Sequence, residues 1–313
     1  MTEATLVTDA APRAAARTPA RRARAGGAGV RRAMVAPTVL ATLVLGAYPL
    51  VFIVLTALSE SSLGRPLQSW VGTANLTDAL TDGDVTASLA RNVVYALVVS
   101  AASTVLGVVT ALALRSATSR GSLSRTLLLL PLITPPVIVG VLWKLIFNPS
   151  GGLLNTLLSL VGYHGAPVAV LSSPGWALVG IGVADVWEWT PLIALLVFAA
   201  LLGQDREVAE AAALDGAHGF RFFRSITLPT IAGTIAAAFL IRLVLAFKVF
   251  DLVFVLTSGG PGTSTSMPAY LIYQAALQQF DLGRSSAITL LLAVVVTVVT
   301  LPVILIARRL HRD

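Results

Sequence analysis

The sequence predicts an all-α membrane protein with six transmembrane helices and both termini in the cytoplasm. Three observations lead there. Of 313 residues, 56% are hydrophobic and 12% charged, whereas soluble domains carry about 25% charged residues. So few charges cannot cover the apolar surface of a soluble chain this long. Apolar runs of bilayer length, about 20 residues each, recur near 34–58, 92–114, 126–147, 175–200, 230–256 and 286–307. The basic residues segregate to alternate connections, as membrane topology requires.

That segregation accounts for the net charge of +7. Arg13, Arg17, Arg21, Arg22, Arg24, Arg31 and Arg32 crowd the N-terminal segment. With that end inside, the inner segments hold sixteen Lys and Arg, among them Arg115, Arg120, Arg125, Arg206, Arg221, Arg224, Arg308, Arg309 and Arg312. The outer loops hold Arg65, Arg91 and Arg284. No aromatic–basic interleaving accompanies the charge, which argues against nucleic acid as a partner. Cysteine is absent, and His164, His218 and His311 lie far apart in sequence, so neither a disulfide framework nor a zinc signature is present.

Residues 1–33 lack apolar periodicity and read as a disordered cytoplasmic tail. The apolar run that follows is too long for a signal-peptide core and reads as an uncleaved first span. Residues 34–307 form the transmembrane domain, and 308–313 a cytoplasmic C-terminus. The first outer loop, 59–91, is polar, with Asp78, Asp82 and Asp84. Span three carries Pro131, Pro135 and Pro136, which must kink or break its helix. The second outer loop, 148–174, opens on a turn; its Leu153, Leu154, Leu157 and Leu158 then predict a short amphipathic helix at the outer surface. The third, 257–285, contains Ser258-Gly259-Gly260-Pro261-Gly262, a turn.

The inner loop at 202–229 is longer than a connection between spans needs. Asp205 is placed to cap a helix, with Glu207 in its first turn. The alanines from Ala209 to Ala213 favour helix, and Gly216 is a C-terminal stop. A second short helix is expected from Ala217 to about Ile226, showing Phe220, Phe222 and Phe223. Leu228-Pro229 then opens span five, proline being tolerated in a first helical turn. Physics alone allows an ordinary surface hairpin or a docking element here.

Ionisable residues inside spans are costly, roughly 2.5–3.5 kcal/mol for a central one. Asp185 and Glu188 share a face of span four, beside Trp187 and Trp189; Arg242 and Lys248 lie in span five. One reading makes these six residues a water-filled substrate path, suited to a sugar through carboxylate hydrogen bonds and aromatic stacking. The other makes Asp185 and Arg242 an interhelical ion pair, with the tryptophans as interface anchors.

Glu210-Ala211-Ala212, then Gly216, Ile226 and Leu228-Pro229 at the same spacing, resembles the EAA-loop signature of bacterial ABC importer permeases. Asp215-Gly216-Ala217 resembles the carbohydrate (maltose-type, binding-protein-dependent) branch. So do Phe250-Asp251-Leu252, Leu282-Gly283-Arg284 and the Trp187–Pro191 pattern, and the likeness runs over roughly 34–307. It implies a type I importer permease fold in a bacterial inner membrane. It implies that the Glu210 helix docks on a cytoplasmic ABC ATPase dimer, which binds ATP and Mg while this chain binds no cofactor. It also implies a second, related permease, an extracytoplasmic solute-binding protein, and a carbohydrate as substrate. The alternative is an ion-coupled secondary transporter of a small polar solute, which would leave the long loop unexplained. No His-Glu-x-x-His, Gly-x-Ser-x-Gly or P-loop motif occurs, so a membrane enzyme or a self-contained ATPase has no support.

Overall fold

A computed structural model describes residues 26–116 and 121–310 of the chain. It falls into two units, Met1–Phe52 and Ile53–Asp313. The first unit holds most of helix α1, Gly26–Ala57. This helix starts before the expected boundary at 34, and the rest of the expected tail, residues 1–25, lies outside the described residues. Met34, Leu40, Leu45 and Tyr48 on α1 are all exposed. A helix apolar on every side takes lipid or another chain as its solvent.

The second unit opens on a feature with no sequence forecast. Strand β1, Ser59–Ser62, pairs antiparallel with β2, Arg65–Trp70. Helix α2, Ala74–Thr81, follows, and then α3, Gly83–Ser116. Asp82 caps α3, accepting from the backbone N–H groups of Asp84 at 2.8 Å and Val85 at 3.3 Å. The cap starts the helix of span two well before the expected residue 92 and takes Arg91 out of the loop. Hydropathy marks the membrane-embedded length of a helix, not the polar turns that extend it.

Span three is broken rather than kinked. Helix α4, Gly121–Ile133, and α5, Pro136–Ile146, meet at an angle of 102°. Thr134 and Pro135 each precede a proline, which drives both away from helical geometry. The expected helix after the next turn is α6, Leu153–Leu160. Helix α7 is Pro174–Leu202 and α8 is Arg206–Leu214. Helix α9, Gly219–Phe222, runs through a π-helical turn at Phe223–Thr227 into α10, Leu228–Ala246. The expected span 230–256 therefore ends early. The chain leaves the helix over Phe247–Phe250, where Asn92 Nδ2 donates to the freed Phe247 carbonyl at 3.4 Å, and resumes as α11, Asp251–Leu256. Helices α12, Pro268–Tyr273, and α13, Leu282–Leu310, complete the chain. Five helices of the described residues are long and apolar enough to cross a bilayer, or six with α4–α5 as one bent span.

Helices α3, α7 and α10 form the centre. Lipid removes most of the hydrophobic drive for helix association, so close van der Waals packing through small residues carries it. Ala96, Ser100, Ser103 and Ala111 of α3 are buried, as are Ala177, Ala184 and Ala194 of α7. At Gly107 the approach is closest: a Cβ there would stand 2.6 Å from the Ile193 Cβ. The two short helices left by the broken spans pack together as well. Lys144 of α5 donates to the Val255 carbonyl near the end of α11 at 3.0 Å.

Candidate functional site

The residues singled out by sequence gather in two places, joined by the continuous helix from Gly219 to Ala246. The first is the loop after α7. Its base is tied to α3, since Arg115 Nη1 donates to Gln204 Oε1 at 2.6 Å. On α8, Glu210 and Ala211 are exposed while Ala212 is buried. The helix ends as expected at Gly216, which takes φ +73°. The N–H of Ala217 closes back on the Ala212 carbonyl at 2.9 Å, the bond that satisfies an orphan carbonyl at a left-handed cap. Nothing lies within 4 Å of a Cβ built on Gly216; the backbone conformation, not crowding, calls for glycine. Asp215 and Gly216 are exposed and Ala217 is half-buried.

The second half of the loop differs from its forecast. No separate helix ends near Ile226, and Leu228-Pro229 does not open a new one. Pro229 lies inside a continuous helix, where its ring would press on the carbonyl four residues back and it supplies no N–H. The π-helical turn just before it absorbs both faults: Leu228 N–H bonds to the Phe223 carbonyl, five residues back. Ile226 and Leu228 are half-buried and Pro229 is exposed. Phe220, 75% exposed, stands above Phe223 with ring centres 6.3 Å apart. Phe222, Ile226, Val208 and Arg115 help to enclose a cavity of about 140 Å³ under the loop.

The second place is a buried polar cluster between α3, α7 and α10. Asp185 Oδ2 accepts from Arg242 Nη2 at 2.5 Å and from Tyr95 Oη at 2.9 Å. Arg242 Nε donates to Ser103 Oγ at 3.3 Å, and its guanidinium stands 5.9 Å from the Trp189 ring centre. The Arg242 side chain is fully buried and that of Asp185 nearly so. Of the two readings of these charges, the ion pair describes Asp185 and Arg242. Glu188, also buried, makes no hydrogen bond or ion pair with a described residue.

Trp187 and Trp189 face different neighbours. Two residues apart on a helix, they point about 200° from one another. Trp189 faces Arg242, while Trp187 meets Trp143 edge-on at 6.0 Å. Trp187 also lines a groove of about 680 Å³ with the apolar residues Val98, Leu106 and Val183. Lys248 is exposed beyond the end of α10. Sequence reasoning missed Tyr95, Ser103, Arg115 and Gln204. A signal existed for Tyr95, because a phenol inside a span needs a hydrogen-bond partner.

Residues 103–313, which include the loop and most of the cluster, match the family of binding-protein-dependent transport system inner membrane components. The chain belongs to that family. It is 36% identical over 274 residues to a trehalose/maltose transport system permease of Thermococcus litoralis, covering 84% of this chain and 90% of that one. To an alpha-glucoside transport system permease of Rhizobium meliloti it is 32% identical over 277 residues, covering 86% and 79%. It also resembles the solved structure of a bacterial ABC transporter involved in the import of the acidic polysaccharide alginate. There the TM-score is 0.75 at 25% identity, over 90% of this chain and 96% of the other. As an inner membrane component of such a system, the chain is a multi-pass transport permease with an ABC importer permease fold.

Proposed function

We propose that this permease forms half of the translocation pathway of an ATP-driven carbohydrate importer and is driven through the loop at 202–229. The observation that carries the reading is mechanical. An exposed helix, stopped at Gly216, leads into one continuous helix that runs from Gly219 to the buried Arg242. From Gly219 onward a push therefore arrives at the centre of the bundle along one helix, and only the turn at Asp215–His218 separates that helix from the Glu210 helix. On this reading Glu210, Ala211, Ala212, Asp215, Gly216, Ala217, Ile226, Leu228 and Pro229 form the face that a cytoplasmic ATPase dimer engages. ATP and Mg bind on the ATPase, not here. A second permease, of related sequence, completes the pathway, and a binding protein delivers substrate at the hairpin end of the bundle.

Carbohydrate as the substrate class rests on the relatives, whose names speak of maltose, trehalose and alpha-glucosides. Of the residues of the expected path, Glu188, Trp187 and Lys248 are those that make no contact with the Asp185–Arg242 pair through a hydrogen bond or ring. The test is reconstitution of the permease with its mate and ATPase, followed by uptake of labelled maltose, trehalose and alpha-glucosides from the loaded binding protein. ATP-dependent uptake of one of these, lost in Glu210→Arg, is expected. Uptake that persists with an ATPase unable to hydrolyse ATP, and that follows an ion gradient instead, would sink the reading.

A further inference from the structure

The buried cluster holds one more carboxylate than its cation engages. Asp185 and Glu188 lie one turn apart on α7, about 4.5 Å along its axis, and both are buried. Arg242 faces them from α10. It uses Nη2 on Asp185 and Nε on Ser103, and its Nη1 has no partner although the side chain is fully buried. Glu188 is equally unmatched among the described residues, and lies within electrostatic reach of Asp185, Arg242 and Asp251. A sealed donor without an acceptor, and a carboxylate of a buried residue without a donor, thus share one cluster, though the Glu188 oxygens, unlike Nη1, keep some access to open space. Native proteins leave few such groups without a reason.

We propose that Glu188 is a second seat for the Arg242 guanidinium, which passes from Asp185 to Glu188 as α10 steps along α7 during the transport cycle. The inference rests on the reading of this chain as a driven transport permease. Three features support the step. Packed elements switch between discrete positions, often a helical turn apart, rather than deforming smoothly. The helix carrying Arg242 is continuous back to the exposed loop but ends at Ala246, so it can shift without dragging α11, which Lys144 ties to α5. Asp185 also keeps the Tyr95 hydroxyl after the guanidinium leaves, so the vacated carboxylate is not stranded. Glu188 touches the pathway only through Arg242 in this scheme and is a positioning residue.

The experiment uses the full transporter, permease pair and ATPase together, in lipid nanodiscs. The chain has no cysteine, so with the second permease and the ATPase also made cysteine-free, spin labels introduced at the exposed Val179 of α7 and Val244 of α10 report their separation in this subunit alone. The unsubstituted protein is expected to show two separations, one resting and one with nucleotide trapped. Glu188→Gln should hold the resting separation in both conditions and lower uptake at least tenfold with the KM for sugar unchanged. Asp185→Asn should populate the second separation without nucleotide and raise ATP hydrolysis uncoupled from uptake. These opposite shifts are what a merely structural pair of carboxylates would not produce. The proposal is overturned if both substitutions move the separation the same way, if Glu188→Gln moves neither separation nor uptake, or if it changes KM alone, which would make Glu188 a substrate contact. Driven transport is read separately from the ATP dependence of uptake in the unsubstituted complex, so either reading can fail without the other.

Discussion

Two ion pairs in this chain have the same length and opposite surroundings. Asp185–Arg242 and Asp82–Arg284 are both 2.5 Å. The first is sealed between α3, α7 and α10, with side-chain exposures of 4% and 0%; the second joins the α2–α3 corner to the first turn of α13, with exposures of 24% and 44%. Equal distance does not mean equal energy. In the interior, each charge has lost its water and depends on its partner, so removing one strands the other. At the surface, water and salt replace a missing partner at little cost. The buried pair is therefore where a charge can organise the bundle and the exposed pair is where it can only trim it.

The sharpest way to break this comparison is Arg242→Leu. It leaves Asp185 and Glu188 as two uncompensated buried carboxylates, and a loss of about 3–5 kcal/mol is expected for stranding a buried partner. Thermal unfolding of the complex in nanodiscs measures it, and added salt should not rescue it. A loss no larger than that of Asp82→Asn would mean that the interior is wetter than the geometry implies.

Tyr95→Phe tests the same cluster more gently. It removes one hydroxyl donor from a charged acceptor while keeping the ring that packs in the core. Hydrogen bonds to charged groups contribute about 1.5–3 kcal/mol, so the loss should fall below that of Arg242→Leu. On the scheme argued above, uptake should drop further than stability, since Asp185 would lose its last partner whenever Arg242 leaves.

Gly216→Ala carries the comparison from charge to backbone. A residue with a Cβ at φ +73° costs roughly 1–2 kcal/mol relative to glycine, and no neighbour obstructs it. Unfolding should shift little, while coupling of ATP hydrolysis to uptake should fall severalfold, because α8 can no longer stop and turn at the same point. Equal losses in stability and coupling would show that the loop is merely a structural corner.

The spans were legible because bilayer length imposes a residue count; the prolines of span three located the disruption there but did not say whether it would be a kink or a full break. The break at Phe247–Phe250 was not legible: Phe247-Lys248-Val249-Phe250 continues an apolar run, and what stabilises it is Asn92, distant in sequence. The hairpin Ser59–Trp70 shows no alternation, because β2 is exposed on both faces. In the loop, Gly216 was readable because a left-handed cap has a residue preference. The π-helical turn was not, since Pro229 reads equally well as a helix start until the helix is seen to precede it. For the cluster, residue types announced that charges were present, but pairing depends on which faces of α7 and α10 meet. The same rotation that joined Asp185 to Arg242 also turned Trp187 away from Trp189.

The smallest expected effect closes the comparison at the exposed pair. Burial pulls the Asp82 pKa upward, but the backbone N–H groups of Asp84 and Val85, then Arg284, outweigh it and hold the carboxyl below its usual value of 3.8. A group whose pKa is lower in the folded state favours folding above its unfolded pKa, and that contribution fades as pH falls through the folded value. It should thus be complete at neutral pH and lost below about pH 4. Asp82→Asn should cost about 0.2–1 kcal/mol at pH 7 and low salt, as exposed pairs do. Asn accepts the same N–H bonds at an N-cap, so nearly all of that loss should vanish at high salt, where the pairing with Arg284 is screened; Asp82→Ala removes the cap of α3 as well, and its loss should persist in part. Arg284→Gln separates the two roles: it removes the ion pair and leaves the cap, so its smaller loss at pH 7 should vanish in salt. If Arg284→Gln instead matched Arg242→Leu in size, burial would not be what distinguishes the two pairs.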